Sequence, residues 1–459
     1  MNRLIQLLLA VAVGWPWAAG AQTAAAPEAD PRIKSLVAAV SEQRLRQLDT
    51  ALAGFVTRQT LSDSRESARA IGAARQWIYD ELKRSSPKLQ VSFDTYVLAA
   101  QGRITREVEL RNVMAVLPGR SARRVYVSGH YDSLNMGPGL QMAFTTAPAD
   151  AARIPDPQVQ PGFDSSATAP GANDDGSGTA LTMELARVFA ESRIDFDATL
   201  VFICWAGEEQ GLYGARAHVQ KLTAEDVVVD AMFNNDIVGN SRGGNGVVDA
   251  ESVRVYSAGP EDSMSRSLAR YVEAAAAMYV PSHRIRLMAR EDRFGRGSDH
   301  QAFRQGGFPS IVFREANENF SKQHTADDTV DGVDFTYLAQ NARVNAAAAA
   351  SVALAPPAPV VTGDRGQALI SRDPSGYDAT LRWNPSPGAV SYRIYWRDTW
   401  RSDWQRQQTV GNVTRFVLPN VSIDDFVFGV AAIGADGRES LISAYVAPVT
   451  QDPAPQIVR

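Results

Sequence analysis

ATLVFICWAGEEQGLYGARAHVQKL, residues 198–222, runs from an apolar stretch through two adjacent glutamates into a segment with helical spacing. The apolar run ATLVFICWA reads as a buried strand and GLYGARAHVQKL as the helix that follows it. A strand that feeds a helix in this way predicts an α/β sheet, in which ligands gather beyond the carboxyl ends of the strands. Glu208 and Glu209 stand at such an end. Successive side chains on an extended or turning backbone point apart, so the two glutamates can do different work.

The pattern continues on both sides. Upstream lie EVELRNVMAVLPG and RRVYVSGHYDS, with strand character, and the helical GTALTMELARVFAES; downstream the strands AMFNNDIVG, VRVYSAG and PSIVFREA alternate with the helices SMSRSLARYVEAAAAM and FTYLAQNARVNAAAAASVAL. This alternation predicts a three-layer α/β sandwich with a mostly parallel central sheet over residues 91–355. Residues 22–90 read as a Pro/Ala linker and helices packing on that domain. The first 21 residues have the form of a secretory signal, with Arg3, a short apolar run and AAGA, so the chain is expected to be exported, periplasmic or secreted, with no membrane span once mature. Removing that segment takes the formal charge from −5 to −6, which favours neither nucleic acid nor an anionic membrane as partner. Cys204 is the only cysteine and lies in the apolar strand, so the fold has no internal disulfide and a metal site would use His, Asp and Glu.

Five histidines fall between residues 130 and 324. His130 ends a strand in GHYDS, with Asp132 two residues on, a spacing suited to a carboxylate that orients a ligating imidazole. In GANDDGSG, Asp174 and Asp175 precede a helix and read either as caps or as metal ligands. Asp236 ends FNND, and His324 lies in SKQHTADDT after a strand. Each of these ligand-type side chains sits near a strand end.

In this order the residues resemble the M28 family of zinc peptidases, over roughly residues 95–352. The resemblance implies a zinc aminopeptidase-like fold and two Zn2+ ions, one held by His130 and Asp236, the other by Glu209 and His324, with Asp174 bridging. It also implies Glu208 as general base and Asp132 as its catalytic companion beside His130, acting on a peptide or protein substrate. Many members of the resembled family carry a tyrosine where Gln323 stands, which leaves the oxyanion donor open; His300 in GRGSDHQAF and the nearby Arg296 are candidates for substrate or oxyanion contacts. The segment 135–170, rich in Pro, Gly, Ala and Ser, reads as a surface insertion overhanging the site.

After the linker 356–364, short strands with turn signals fill residues 365–450. With Trp383 in LRW, then YRIYWR and FGVAAIGADGRES, this stretch resembles a fibronectin type III domain, which implies attachment to a surface, polymer or partner. The leading expectation is an exported di-zinc metallopeptidase, most simply an aminopeptidase. The alternatives are a glutaminyl-cyclase-like acyltransferase of the same fold, whose one-zinc site lacks the His130-type ligand, and an inactive binding or adhesion protein.

Overall fold

The computed structural model describes residues 28–65, 69–136 and 164–446. The signal segment and most of the 135–170 insertion lie outside the described residues, as do positions 447–450 of the C-terminal region. Three helices open the fold: α1 (Pro31–Ala39), α2 (Glu42–Ala53) and α3 (Ile71–Ser85). The long helical pattern before residue 55 divides at Val40, and the Ser41 hydroxyl caps the second helix by accepting from the Arg44 N–H.

Eight strands form one sheet: β1 (Gln90–Leu98), β2 (Val108–Leu117), β3 (Arg124–His130), β4 (Thr199–Trp205), β5 (Val229–Asn235), β6 (Ser252–Ser257), β7 (Arg284–Met288) and β8 (Ser310–Glu315). Their order is β1-β2-β4-β3-β5-β8-β6-β7. Only the centre, β4-β3-β5-β8, is continuously parallel; β1 and β2 pair antiparallel, β2 joins β4 antiparallel, and β6 joins β8 antiparallel. The sheet is therefore mixed: with β6–β7 also parallel, four of its seven pairings are parallel and the antiparallel ones lie toward its edges. A short connection between β1 and β2 cannot carry a crossover and so makes a hairpin.

Alternation along the central strands sends residues to two cores. Val125, Val127, Leu200, Phe202, Ala231 and Phe233 face one side, which is covered by α1–α3 and by α4 (Ser177–Glu191), α6 (Met264–Tyr279) and α8 (Phe335–Leu354). Tyr126, Val201, Ile203, Trp205 and Met232 face the other side, against α5 (Tyr213–Ala224) and the short α7 (His300–Gln305). Three layers result. Cys204 is buried with the first set.

The C-terminal region is all β. Strands β9 (Ile370–Arg372), β10 (Asp378–Arg382) and β13 (Arg415–Pro419) form one sheet in the order β13-β10-β9. The second sheet has the order β12-β11-β14-β15, from β11 (Ala389–Asp398), β12 (Arg406–Val410), β14 (Phe426–Gly434) and β15 (Ser443–Ala444). Trp383, Tyr392, Ile394, Phe428 and Val430 fill the core between the two sheets. The region is docked on the α/β part: the Ser267 hydroxyl of α6 donates to the Ile442 carbonyl at 2.9 Å, the Tyr271 hydroxyl to the Glu439 carbonyl at 3.1 Å, and Arg397 pairs with Asp262.

The small residues of GSGT have a steric reason. Gly178 opens α4 against β5, where an added Cβ would overlap the Asn235 carbonyl oxygen and the Asp175 carboxylate. Because two of those groups belong to backbone and a buried side chain, Gly178→Ala is expected to lower unfolding free energy by about 1–3 kcal/mol. Gly411→Ala, whose Cβ meets nothing within 4 Å, should stay within about 0.5 kcal/mol. Denaturant titrations of both variants check the contrast.

Candidate metal centre

Three strand ends, one turn before a helix and one loop converge beyond the carboxyl edge of the sheet. His130 is the last residue of β3, and its Nδ1 lies 3.1 Å from the Asp132 carbonyl oxygen, with the Asp132 carboxylate farther off at 3.7 Å. That carbonyl can only accept, so Nδ1 carries the proton and Nε2 keeps its lone pair free to coordinate an ion. His130 Nε2 is 3.4 Å from Asp174 Oδ1 and 3.9 Å from both Glu208 Oε2 and Asp236 Oδ1. His324 Nε2 approaches from the loop after β8, 3.0 Å from Asp174 Oδ2 and 3.1 Å from Glu209 Oε2. The two oxygens of Asp174 thus face two different imidazoles.

Backbone hydrogen bonds hold this arrangement. Asp174 sits in the turn Ala172–Gly176, and the Asp328 carboxylate accepts the N–H groups of Asn173 and Asp174 at 3.0 and 2.9 Å. Asp175 turns away from the centre and accepts from the N–H groups of His130, Gly178 and Ile237, so it ties three segments together while capping α4. Asp132 accepts from Glu208 N–H and Glu209 N–H, both at 3.2 Å, and from the Thr60 hydroxyl. It fixes the glutamate turn more directly than it fixes the His130 ring. Arg58, fully buried, donates to the Tyr131, Leu52 and Gly171 carbonyls. Arg314, also fully buried, pairs with Asp236, whose other oxygen accepts from the Ser298 hydroxyl.

Sequence reasoning missed Asp328, Arg58, Arg314 and Ser298. Asp328 was within reach, since it closes the TADDT stretch after His324. The buried charges of SIVFRE, Arg314 and Glu315, were a second signal, because a central strand excludes unpaired charge.

The electrostatics suit cation binding. Burial, with Asp236 and Glu209 nearby, pushes the Glu208 carboxyl well above its ordinary range. Burial works in the same direction on Asp174, yet the facing His324 and His130 outweigh it and hold Asp174 well below the usual carboxylate value. Burial disfavours charge on His324, but Glu209 and Asp174 raise its pKa to about 10. Ligand atoms of His130, Asp174 and Glu209 lie within 4.8 Å of one another, as do those of His130, Glu208 and Asp236. Glu209 Oε1 is buried with no hydrogen-bond partner among the described residues. An all nitrogen-and-oxygen donor set with an unsatisfied carboxylate oxygen fits zinc.

The centre floors a cleft of about 620 Å³, lined also by Arg296 and Gln323. Arg296 donates to Gln323 Oε1 at 2.7 Å, and Gln323 Nε2 donates to Glu318 at 3.0 Å. His300 stands apart from the cleft: its ring is buried, with Nε2 on the Glu291 carbonyl at 2.9 Å. His218 and His283 are packing residues, paired with Asp94 and Asn341. No helix among the described residues is long and apolar enough to cross a membrane.

Residues 159–349 match Peptidase family M28. A probable zinc metalloprotease of Pyricularia oryzae is 36% identical over 90% of this chain and 84% of its own. Among solved structures, the LapA aminopeptidase of Legionella pneumophila has a TM-score of 0.53 at 18% identity, covering 73% of this chain and 78% of that one. A glutaminyl cyclase of Macrostomum lignano reaches 0.52 at 16% identity, covering 71% and 94%. At those identities the two structures establish a shared fold alone.

His324 gives a signed pH dependence. Its folded pKa, about 10, exceeds the ordinary 6.5, so in the metal-free protein its ion pairs contribute stability fully below about pH 6.5, and that stability is lost as pH rises through about 10. Zinc requires the neutral ring, so uptake by metal-free protein near neutral pH should release protons and tighten as pH rises. Calorimetric titration with zinc in two buffers of different ionisation enthalpy reads the release directly; an identical heat in both would contradict the assignment.

Proposed function

The chain belongs to peptidase family M28, and on that premise we propose a di-zinc metallopeptidase of aminopeptidase type. The observation that carries the reading is Asp174, with one carboxylate oxygen toward His130 and the other toward His324. His130 and Asp236 would hold one ion and Glu209 and His324 the second, with Asp174 shared. Bound there, the ions supply an acidified water and polarise the scissile carbonyl. Glu208 reaches the same space, 3.9 Å from His130 Nε2, and its raised pKa suits a group that takes a proton from the attacking water and passes it to the departing amine. Asp132 is a positioning residue that sets the glutamate turn, and Arg296 is placed to contact substrate. A one-zinc cyclase-like site would leave His130 without a role, whereas here His130 faces Asp174 and Asp236 together.

The C-terminal region is read as a fibronectin type III-type sandwich beginning near residue 365; its three- and four-stranded sheets and the Trp383 core support that reading. Its proposed task is attachment to a surface or polymer by an exported enzyme whose first 21 residues act as the export signal. The residues proposed to bind metal all precede Ala355. A chain ending at Ala355 should therefore keep two zinc ions per molecule and its turnover, while melting at a lower temperature because Leu441 and the α6 contacts are lost. Metal analysis, kinetics and thermal melts of the shortened protein test this; a folded product without zinc would refute the boundary.

Glu208 and Glu209 should separate cleanly. Glu208→Gln should retain two zinc ions and bind substrate while turnover falls roughly 10²–10⁴-fold. Glu209→Gln removes an anionic ligand, so its zinc content should fall and activity should partly return with added zinc. Metal content and kcat for the two purified variants decide the assignment, and the reverse pattern would exchange the roles.

A further inference from the structure

Above its metal centre the cleft is a basic surface. Arg103, Arg216, Arg293 and Arg296 line it, and among the described residues the acidic groups lining it are those of the centre itself, Asp174, Glu208, Glu209 and Asp236. These arginines come from three separate segments: the β1–β2 connection, α5, and the loop between β7 and α7.

The loop arginines are anchored from behind. The buried Glu318 carboxylate pairs with Arg254 and with Arg293 at 2.7 Å, and Arg296 stands 3.6 Å from it. Three guanidinium groups therefore share one carboxylate. Asp292, which is buried too, pairs with both Arg293 and Arg314. Gln323 accepts from Arg296 and donates to Glu318, which fixes the Arg296 fork at the cleft wall. On the opposite side, Arg103 donates to the Glu209 carbonyl at 2.9 Å and has no carboxylate partner among the described residues. The Arg216 side chain is exposed and makes no ion pair or hydrogen bond among the described residues. Metal ions would neutralise the floor carboxylates, leaving the arginine excess facing whatever enters.

We propose that this arginine rim binds a carboxylate of the substrate, either an acidic side chain near the scissile bond or the free carboxyl terminus of a short peptide, and so selects acidic or short peptides. The proposal rests on the metallopeptidase reading of the same cleft. Guanidinium groups present planar forks of donors that match a carboxylate, and charge-assisted bonds in a partly dry cleft exceed neutral ones.

The test uses the full chain loaded with zinc and free-amine pentapeptides in matched pairs. One arm compares Glu with Gln on each side of the scissile bond in peptides with amidated C-termini. The other compares a free with an amidated C-terminus in an otherwise neutral peptide. At least one arm should show a kcat/KM ratio of roughly 10–100 in favour of the carboxylate, carried mainly by KM, and the arm that responds identifies its source. The ratio should shrink with added salt and fall to about 2 or less in the double variant Arg103→Gln, Arg216→Gln. Arg216→Lys alone should retain part of it, and Arg365→Gln in the C-terminal region should leave it unchanged. Ratios near 1 in both arms, or a ratio that survives the double variant, would overturn the proposal and leave the peptidase reading standing. Failure to cleave any peptide with two zinc ions bound would instead overturn the peptidase reading.

Discussion

Four carboxylates, those of Asp174, Glu208, Glu209 and Asp236, meet two imidazoles in one largely buried space. Glu208 and Asp236 have oxygens within 4.8 Å of each other, a separation at which two like charges repel by about 3 kcal/mol even at an effective dielectric constant of 20. No packing arrangement removes that cost. It falls only when cations enter, when protons remain on Glu208 and His324, or when fixed donors surround the group. The last of these is visible in how the surrounding chain is built. Asp328, Asp132 and Asp175 are spent on backbone N–H groups, which fixes the turns that carry the ligands. Arg314 and Ser298 hold the Asp236 carboxylate, and Arg58 draws the carbonyls of three segments around a single guanidinium.

This explains which parts could be read from the sequence. His130, Glu208, Glu209 and Asp236 each end a short local pattern, an apolar strand followed by a polar turn, so their placement at one sheet edge follows from local signals, whereas Asp174 is marked by the start of a helix and His324 by the polar loop after β8. Helix α8 was equally legible, since FTYLAQNARVNAAAAASVAL has no breaker and matches Phe335–Leu354. The pairings of the supporting shell were not legible. Arg58 bonds to residues as far away as Gly171, and Arg314 reaches back to Asp236, distances along the chain that no local pattern encodes. Strand β7, RIRLM, carries alternating charge on a half-exposed edge and lacks the apolar run that marked the central strands. The antiparallel flanks escaped for a related reason: strand direction depends on the connection, and composition does not report it.

His300 shows the limit of motif reading. The GRGSDHQAF segment does reach the metal centre, but through Ser298 on Asp236, while the His300 ring turns into the core to meet the Glu291 carbonyl. Two residues along a tight turn reverse which side chain faces the cleft, and only the turn geometry decides it. The same loop carries Arg293 and Arg296, so one segment both braces a proposed metal ligand and builds a cleft wall.

That shared segment links the floor of the cleft to its rim. Arg314 contacts Asp236 and Asp292, Asp292 contacts Arg293, and Arg293 and Arg296 meet at Glu318, which also holds Gln323 immediately before His324. The chain of ion pairs begins at one proposed metal ligand and ends beside another. Buried ion pairs gain little net stability over an apolar core, because desolvation offsets most of the attraction, so stability alone does not account for such a path. What the path does supply is registry. It sets the rim guanidinium groups at fixed positions relative to Asp236 and His324, and therefore relative to the atoms that would act on the substrate. A carboxylate held by the rim would then bring its neighbouring peptide bond over the centre, so the electrostatic attraction tightens binding in the register that the metal-side residues act on.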